Sequence, residues 1–162
     1  MFREMRRKKQ QLSEEDIQAV LKRGTSGVLA VIGDEGYPYA VPMSYVFADG
    51  KIYMHSALSG HKIDAINTDD RVSFCVIDAD DVMPADFTTQ FRSVIAFGRA
   101  RIIEDDEEKL AALRCLGDRY NPGQEEAVSA EAMKGLQRLH MIEITIEHLS
   151  GKEALALSRA RL

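Results

Sequence analysis

Short connections between strand-like segments are the feature that most limits how this chain can fold. Residues 27–32 and 37–47 have the apolar runs and alternation of strands, and only the glycine-rich residues 33–36 lie between them. An Asp-Gly pair at 49–50 then separates the second segment from a third, residues 51–55. Because parallel strands need a long crossover, segments this close along the chain are expected to pair antiparallel.

Three further segments, residues 71–77, 91–103 and 142–147, also read as strands. In the last of them isoleucine alternates with polar residues at every second position, the pattern of a strand with one buried face. Six strands in a small antiparallel sheet are best protected when the sheet closes on itself. The sequence therefore predicts a mainly β barrel with peripheral helices.

Helices are predicted at the ends and crossovers of this sheet. Ser13 is a good N-cap for a first helix that Gly24 ends, and further helices are expected over residues 106–120 and 125–138. Residues 78–90 have no strand-like alternation. We expect them to form a long loop.

Composition and charge are those of an ordinary globular protein. With 162 residues, 45% of them hydrophobic, we expect residues 1–162 to form one domain, which begins with a basic arm over residues 1–10. The net charge of −5 disfavours binding to nucleic acid, and no apolar run approaches the roughly 18 residues of a membrane-spanning helix. No secretory signal is seen, so we expect a cytoplasmic protein in which Cys75 and Cys115 are reduced thiols.

Residues 55–62 have the composition of an anion-binding segment. They include two histidines, two serines and a lysine, and no carboxylate follows until Asp64. Ser59 is placed to cap a helix that begins near Gly60, and the free amides of that helix, together with Lys62, would hold a phosphate. A capped helix with solvated side chains explains the same residues equally well, so both interpretations stay open.

Other catalytic signatures are missing from the sequence. His55, His61 and His140 do not have the spacing of metal ligands, and we predict no metal site. No glycine-rich dinucleotide fingerprint, P-loop or G-x-S-x-G elbow is present. Cys75 lies in an apolar strand, where a small buried side chain is a better interpretation than a nucleophile.

Six segments, in order along the chain, resemble one family of flavoproteins. They are Met-Arg-Arg at 5–7, Gly-Tyr-Pro-Tyr-Ala-Val-Pro-Met-Ser-Tyr at 36–45, Ile-Tyr-Met-His-Ser-Ala at 52–57 with Gly-His-Lys at 60–62, Phe-Arg-Ser-Val-Ile-Ala-Phe-Gly at 91–98, Lys-Leu-Ala-Ala-Leu at 109–113 and Ser-Gly-Lys at 150–152. In these segments the chain resembles the pyridoxamine 5′-phosphate oxidase-like proteins, the FMN-binding split-barrel superfamily. Within it, the chain is most similar to the nitroimidazole-resistance-type branch.

The resemblance implies a six-stranded antiparallel split β-barrel and a homodimer with FMN at the subunit interface. It also implies that residues 55–62 hold the phosphate and that the flavin ring lies against the second long strand. The partner subunit would supply residues near the start of the fifth strand. The cofactor-binding residues expected on this basis are Val41, Pro42, Met43, Ser44, His55, Ser56, Ser59, His61, Lys62, Thr89, Arg92 and Ser93.

The residues themselves give reasons for some of these assignments. Pro38 and Pro42 remove amide donors from their strand and stiffen it, which suits a wall against a flat ring. Arg92 is an isolated cation on an apolar strand, and it needs either a bound anion or an ion pair with a carboxylate. One departure matters: the chain has no Trp, and residues 158–162 lack the C-terminal substrate-binding pattern of the pyridoxine-phosphate oxidases, so oxidation of pyridoxamine phosphate is not expected.

Three functions follow as hypotheses. The first is an FMN-dependent oxidoreductase that passes electrons from a reduced nicotinamide to a small acceptor such as a nitroaromatic, with His55 as a proton donor or a polar contact to the acceptor. The second is a non-catalytic flavin- or haem-binding dimer, in which His55, His61 or His140 would be the axial ligand of a haem. The third is a dimer that has lost its cofactor and is a structural or interaction module.

Overall fold

Seven strands form a single antiparallel sheet in the computed structural model, which describes residues 1–159. The strands are β1 (Ser26–Ile32), β2 (Pro38–Ser44), β3 (Val46–Ala48), β4 (Lys51–Ser56), β5 (Arg71–Met83), β6 (Thr88–Ile102) and β7 (His140–Glu153). Their order across the sheet is β2-β1-β5-β6-β7-β4-β3. The expected class, a mainly β antiparallel fold with peripheral helices, is confirmed.

Five α-helices surround the sheet. They are α1 (Glu14–Arg23), α2 (His61–Thr68), α3 (Asp106–Tyr120), α4 (Glu125–Gly135) and α5 (Leu155–Arg159). The predicted cap of α1 is confirmed, because the Asp16 amide donates to Ser13 Oγ at 3.1 Å. No helix within residues 1–159 has the length and apolarity needed to cross a membrane.

Two apolar clusters hold these layers together. The larger one fills the inside of the curved sheet and includes Leu29, Tyr45 and Phe74, with the two aromatic rings edge to face and their centroids 5.0 Å apart. The smaller one joins α3 and α4 to the sheet through Leu116 and Met141. Helices α1 and α2 thus contribute to the larger cluster, and α3 and α4 to the smaller one.

The predicted strand over residues 37–47 is divided in two, which makes seven strands instead of six. The division falls at Tyr45, a fully buried residue whose hydroxyl donates to the Leu21 carbonyl at 2.8 Å. Its amide donates to the Thr25 carbonyl and to the Tyr120 hydroxyl, each at 3.2 Å. These bonds take the Tyr45 backbone out of the ladder between β2 and β1.

The expected loop over residues 78–90 is wrong, because most of this segment is a two-stranded extension of β5 and β6. The pairing runs from Ala79 opposite Arg92 to Met83 opposite Thr88, beyond a bulge that follows Ile77. Much of this extension, which we call the β5–β6 ribbon, is exposed to solvent. A ribbon without a buried face has no reason to alternate, and its sequence therefore looked like a loop.

An irregularity interrupts the pairing of β6 with β7 between Phe97 and Gly98. A Cβ atom on Gly98 would lie 2.1 Å from the Thr145 carbonyl oxygen, so only glycine permits this close approach. Strand β7 is longer than the expected residues 142–147, and α4 ends at Gly135 instead of residue 138.

Candidate functional site

A cavity of about 340 Å³ lies where β2 and β4, which are not neighbours in the sheet, come together beside the start of α2. We call it the β2–β4 cavity. It is lined by Pro42, Met43, Ser44, His55, Ser56, Ala57 and Lys62. Six of these seven residues are among those that the sequence assigned to cofactor binding.

Two polar residues of this cavity lack partners. Ser56 is only 4% exposed, and its Oγ has no hydrogen-bond partner among the described residues. Lys62 forms no ion pair with any carboxylate within residues 1–159. A buried hydroxyl without a partner costs free energy, on the order of 1–3 kcal/mol, and an anion bound at this point would satisfy both groups.

The N-terminus of α2 differs from the prediction in its cap. The N-cap is Gly60, not Ser59, and no side chain bonds to the first-turn amides. Gly60 has φ of +136°, a conformation that favours glycine, and Ser59 is exposed. The Ile63 amide donates to the Gly60 carbonyl at 2.9 Å, so the first-turn amides available to a ligand are those of His61 and Lys62.

His61 does not line the β2–β4 cavity. Its ring stacks on Tyr39, with centroids 4.2 Å apart, and its Nε2 accepts a hydrogen bond from the Asp34 amide at 3.2 Å. The imidazole therefore fastens α2 to the turn between β1 and β2. Val41 also lies outside the cavity, since its side chain packs against the larger apolar cluster.

His55 stands between the β2–β4 cavity and a second one. The second cavity, also about 340 Å³, lies under α3 and α4, and we call it the α3–α4 cavity. Ser44 and His55 line both cavities. Sequence reasoning missed the second cavity because its lining consists mostly of apolar residues that also read as core.

The three residues predicted from the fifth strand, Thr89, Arg92 and Ser93, do not reach the β2–β4 cavity of their own chain. Strand β7 pairs with Ser56 at its beginning and with Arg92 at its end. At roughly 3.3 Å per residue these points are on the order of 40 Å apart along the strand. Contact of these residues with a flavin stays a prediction that needs a second subunit.

Arg92 forms the ion pairs that the alternative interpretation proposed. It donates from Nε to Glu153 at 3.0 Å and from an Nη to Asp78 at 3.1 Å, and Glu153 is fully buried. The guanidinium of Arg23, and then that of Arg92, lower the pKa of Asp78 against the opposite effect of burial. The resulting cluster joins the ribbon to α1 and β7.

The two cysteines are free and half-buried. Burial raises the pKa of both the Cys75 and the Cys115 thiol, so neither is an activated nucleophile. Within residues 1–159, no three His, Cys, Asp or Glu side chains are grouped as metal ligands.

Comparison with known proteins agrees with this architecture. A candidate 5-nitroimidazole antibiotic resistance protein from Bacteroides thetaiotaomicron has a similar structure, with a TM-score of 0.73 and 21% identity over 88% of this chain and 86% of that one. A FAD- and haem-binding protein from Mycobacterium smegmatis gives 0.78 and 23% over 90% and 73%. A FAD-binding protein from Mesorhizobium loti gives 0.62 and 26% over 89% and 96%. A search of curated protein sequences finds no match.

The family model described as pyridoxamine 5′-phosphate oxidase matches residues 13–153, which is most of the chain. The match includes every strand of the sheet and both cavities. This chain is a member of the pyridoxamine 5′-phosphate oxidase family.

Proposed function

We propose that the protein is an FMN-dependent oxidoreductase that passes electrons from a reduced nicotinamide to a small acceptor such as a nitroaromatic. The observation that carries the proposal is the buried Ser56 hydroxyl, which has no hydrogen-bond partner within residues 1–159 and lines the same cavity as Lys62. A terminal phosphate is the part of FMN that needs such donors.

The phosphate end of the cofactor is held by three kinds of donor. Lys62 supplies a positive charge, Ser56 a hydroxyl, and the uncapped start of α2 supplies amides and the positive end of the helix dipole. In the described part of the chain, Lys62 is the one Lys or Arg that lines this cavity, which suits the single phosphate of FMN.

The ring end of the cofactor lies against β2. Pro42 has no amide hydrogen, and on the edge strand β2 it pairs opposite Val28 without a complete ladder. Pro42 and Met43 therefore give a stiff and largely apolar wall, with the Ser44 hydroxyl beside it. When bound, the flavin supplies the transfer of electrons, and the protein binds and orients it.

His55 is the proton donor of this proposal. Its imidazole is exposed, lies on β4 and lines both cavities. Reduction of a nitro group consumes protons as well as electrons, and an imidazole beside the acceptor can donate a proton.

Comparisons support a flavin as the cofactor. The Mesorhizobium loti protein is named as FAD-binding, the Mycobacterium smegmatis protein as binding FAD and haem, and the Bacteroides thetaiotaomicron protein as a candidate for 5-nitroimidazole resistance. We propose FMN for this chain because, among the described residues, a single cation, Lys62, lines the cavity. Identification of the released chromophore distinguishes FMN from FAD and haem.

The working unit of the proposal is a homodimer. The ribbon and the adjoining part of β5 expose large apolar side chains, with Ile77 at 64%, Val82 at 67% and Phe87 at 98% exposure. Exposed apolar side chains on the ribbon support a protein partner. If that partner is a second copy of the chain, it would bring Thr89, Arg92 and Ser93 towards the cofactor. Light scattering of the purified protein measures this directly.

The chromophore of the purified protein tests the function. Heat release followed by mass spectrometry is expected to give FMN, and cofactor-free protein is expected to bind FMN at least tenfold more tightly than riboflavin, which lacks the phosphate. Release of FAD would move the assignment to a dinucleotide, and release of haem would favour the haem-binding alternative. Equal affinity for FMN and riboflavin would show that the cavity is not a phosphate site.

Turnover separates a catalyst from a binding protein. At saturating flavin, His55→Ala is expected to lower the reduction of nitroaromatics about tenfold or more. Lys22→Glu, on the exposed side of α1, is the control. Unchanged turnover in His55→Ala would remove this histidine from the mechanism.

A further inference from the structure

The α3–α4 cavity shares Ser44 and His55 with the β2–β4 cavity, and its own lining has no role in holding the cofactor. We propose that it binds the electron acceptor and that it accepts a neutral aromatic ring whose reducible group points to His55. The inference rests on the proposed function, because the acceptor must meet the flavin at the residues common to both cavities.

The lining of this cavity is apolar along most of its length. Leu113 and Leu116 contribute from α3, Val128 and Ala132 from α4, and Leu139 from the segment that leads to β7. Burial of aromatic surface against such groups is favourable by about 25 cal/mol per Å². The walls therefore select for a ring over a polar chain.

Polar groups on the lining are already used within the protein. The Tyr120 hydroxyl bonds to the backbone of Thr25 and Tyr45, and the Asn121 side-chain amide donates to the Gly117 carbonyl at 3.1 Å. Ser44 and His55, which also line the β2–β4 cavity, are the polar residues of this lining nearest the proposed flavin. The reducible substituent of the ring is therefore oriented towards them.

Charge on the ligand is disfavoured. Among residues 1–159 no Lys or Arg lines the cavity, and the carboxyl side chain that does, Glu131, is 77% exposed and pairs with Lys134 at 3.2 Å. A carboxylate or diphosphate would lose hydration on entry without gaining a counter-charge. The nicotinamide dinucleotide, which carries two phosphates, is therefore expected to approach the flavin from elsewhere.

The volume of the α3–α4 cavity also fits a single aromatic ring or a pair of fused rings. An apolar protein cavity of about 150 Å³ holds benzene, and this one is about 340 Å³. For a nitroarene the first step is ArNO₂ + 2e⁻ + 2H⁺ → ArNO + H₂O. The two electrons come from the reduced nicotinamide by way of the flavin, and His55 and solvent supply the protons.

A pair of ligands of equal size tests the charge selection. In NMR titrations we expect 4-nitrobenzamide to shift the methyl resonances of Leu113, Leu116 and Leu139. We expect 4-nitrobenzoate to bind at least about tenfold more weakly. This measurement works with and without flavin. Shifts confined to other leucines, or equal binding of the two compounds, would overturn the inference.

Substitution of the lining tests the location. Ala132→Leu fills the cavity and is expected to lower kcat/KM for 4-nitrobenzamide about tenfold, with flavin binding within about twofold. Ala130→Leu makes the same change on the exposed side of α4 and is the matched control. If Ala132→Leu does not fold, Gly135→Leu replaces it, because a Cβ there comes within 3.4 Å of Leu139 and 3.8 Å of Leu113, an ordinary contact.

The outcomes separate this inference from the proposed function. If flavin binds and is reduced, but Ala132→Leu and Ala130→Leu turn over 4-nitrobenzamide equally, the cavity is not the acceptor site and the oxidoreductase proposal stands. If no flavin binds, the oxidoreductase proposal fails, and the titration of flavin-free protein still decides whether the cavity takes a neutral ring.

Discussion

Lys62 and Arg92 are two half-buried cations that the sequence assigned to the same cofactor, and the structure places them in opposite surroundings. Lys62 lines the β2–β4 cavity with no carboxylate paired to it within residues 1–159. Arg92, at the far end of β7, is held between Asp78 and Glu153. The carboxylates of its own chain thus neutralise one cation and leave the other for a ligand.

The surrounding hydroxyls differ in the same way. Near Arg92 the Ser158 hydroxyl donates to Glu153 at 2.9 Å, whereas near Lys62 the buried Ser56 hydroxyl has no described partner. A complete set of bonds stabilises the fold, and an incomplete set is typical of a binding site before its ligand arrives.

Arg92→Met is expected to lower the free energy of unfolding by about 3 kcal/mol, because it removes the cation that pairs with the buried carboxylate of Glu153. Lys62→Met is expected to change it by less than about 0.5 kcal/mol. Urea unfolding of the flavin-free proteins measures both. Equal losses in the two variants would contradict the comparison.

Lys62→Glu is expected to weaken FMN binding about 100-fold, since it replaces an attractive charge beside the phosphate by a repulsive one. Fluorescence titration of cofactor-free protein gives the affinity. Lys22→Glu on α1 is the matched charge reversal, and it should bind FMN as the wild type does. Tight binding by Lys62→Glu would place the phosphate elsewhere.

Ser56→Ala is expected to act in opposite directions on stability and binding. Removal of a buried hydroxyl without a partner stabilises the flavin-free protein by about 1 kcal/mol, and loss of a donor weakens FMN binding about tenfold. Thermal unfolding with and without FMN shows the two signs. Ser73→Ala, on β5 away from the cavity, controls for the serine-to-alanine change. If Ser56→Ala destabilises the flavin-free protein, the Ser56 hydroxyl does have a bonding partner.

Acid stability is expected to depend on the Arg92 cluster and not on the cavity. The pKa of Asp78 is lowered in the folded state, first by Arg23 and then by Arg92, so its contribution is present above the unfolded pKa of about 3.9 and is lost as the pH falls through the folded value. Asp78→Asn should make the loss of stability between pH 5 and 3 shallower, and Lys62→Met should leave it unchanged. Unfolding midpoints across this range measure the slope.

The strands that sequence reasoning found are those with one buried face. In β1 the buried residues alternate along the strand, and that alternation is what the pattern detects. The ribbon beyond Ile77 has no buried face to mark it, and the break at Tyr45 depends on bonds to Leu21, Thr25 and Tyr120, which lie far apart in the sequence. Long-range contacts of this kind leave no local signal.

The site followed the same rule. The composition of residues 55–62 identified Ser56 and Lys62, which the structure brings together in one cavity. His61 lies in the same segment but turns to Tyr39 and Asp34 on another element, and Gly60 takes the capping position expected of Ser59. Sequence shows which chemical groups are near one another along the chain, and the fold decides which way each one points.

The phenol of Tyr120 connects the elements that line the two cavities. Tyr120, at the end of α3, holds the interruption between β2 and β3 through the Tyr45 amide, 75 residues away in sequence. The Tyr120 hydroxyl therefore links α3, which lines the α3–α4 cavity, to the end of β2, which lines both cavities. Tyr120→Phe removes this oxygen and is expected to loosen both cavities together. A shift of α3 would then also displace the residues that line the proposed cofactor site.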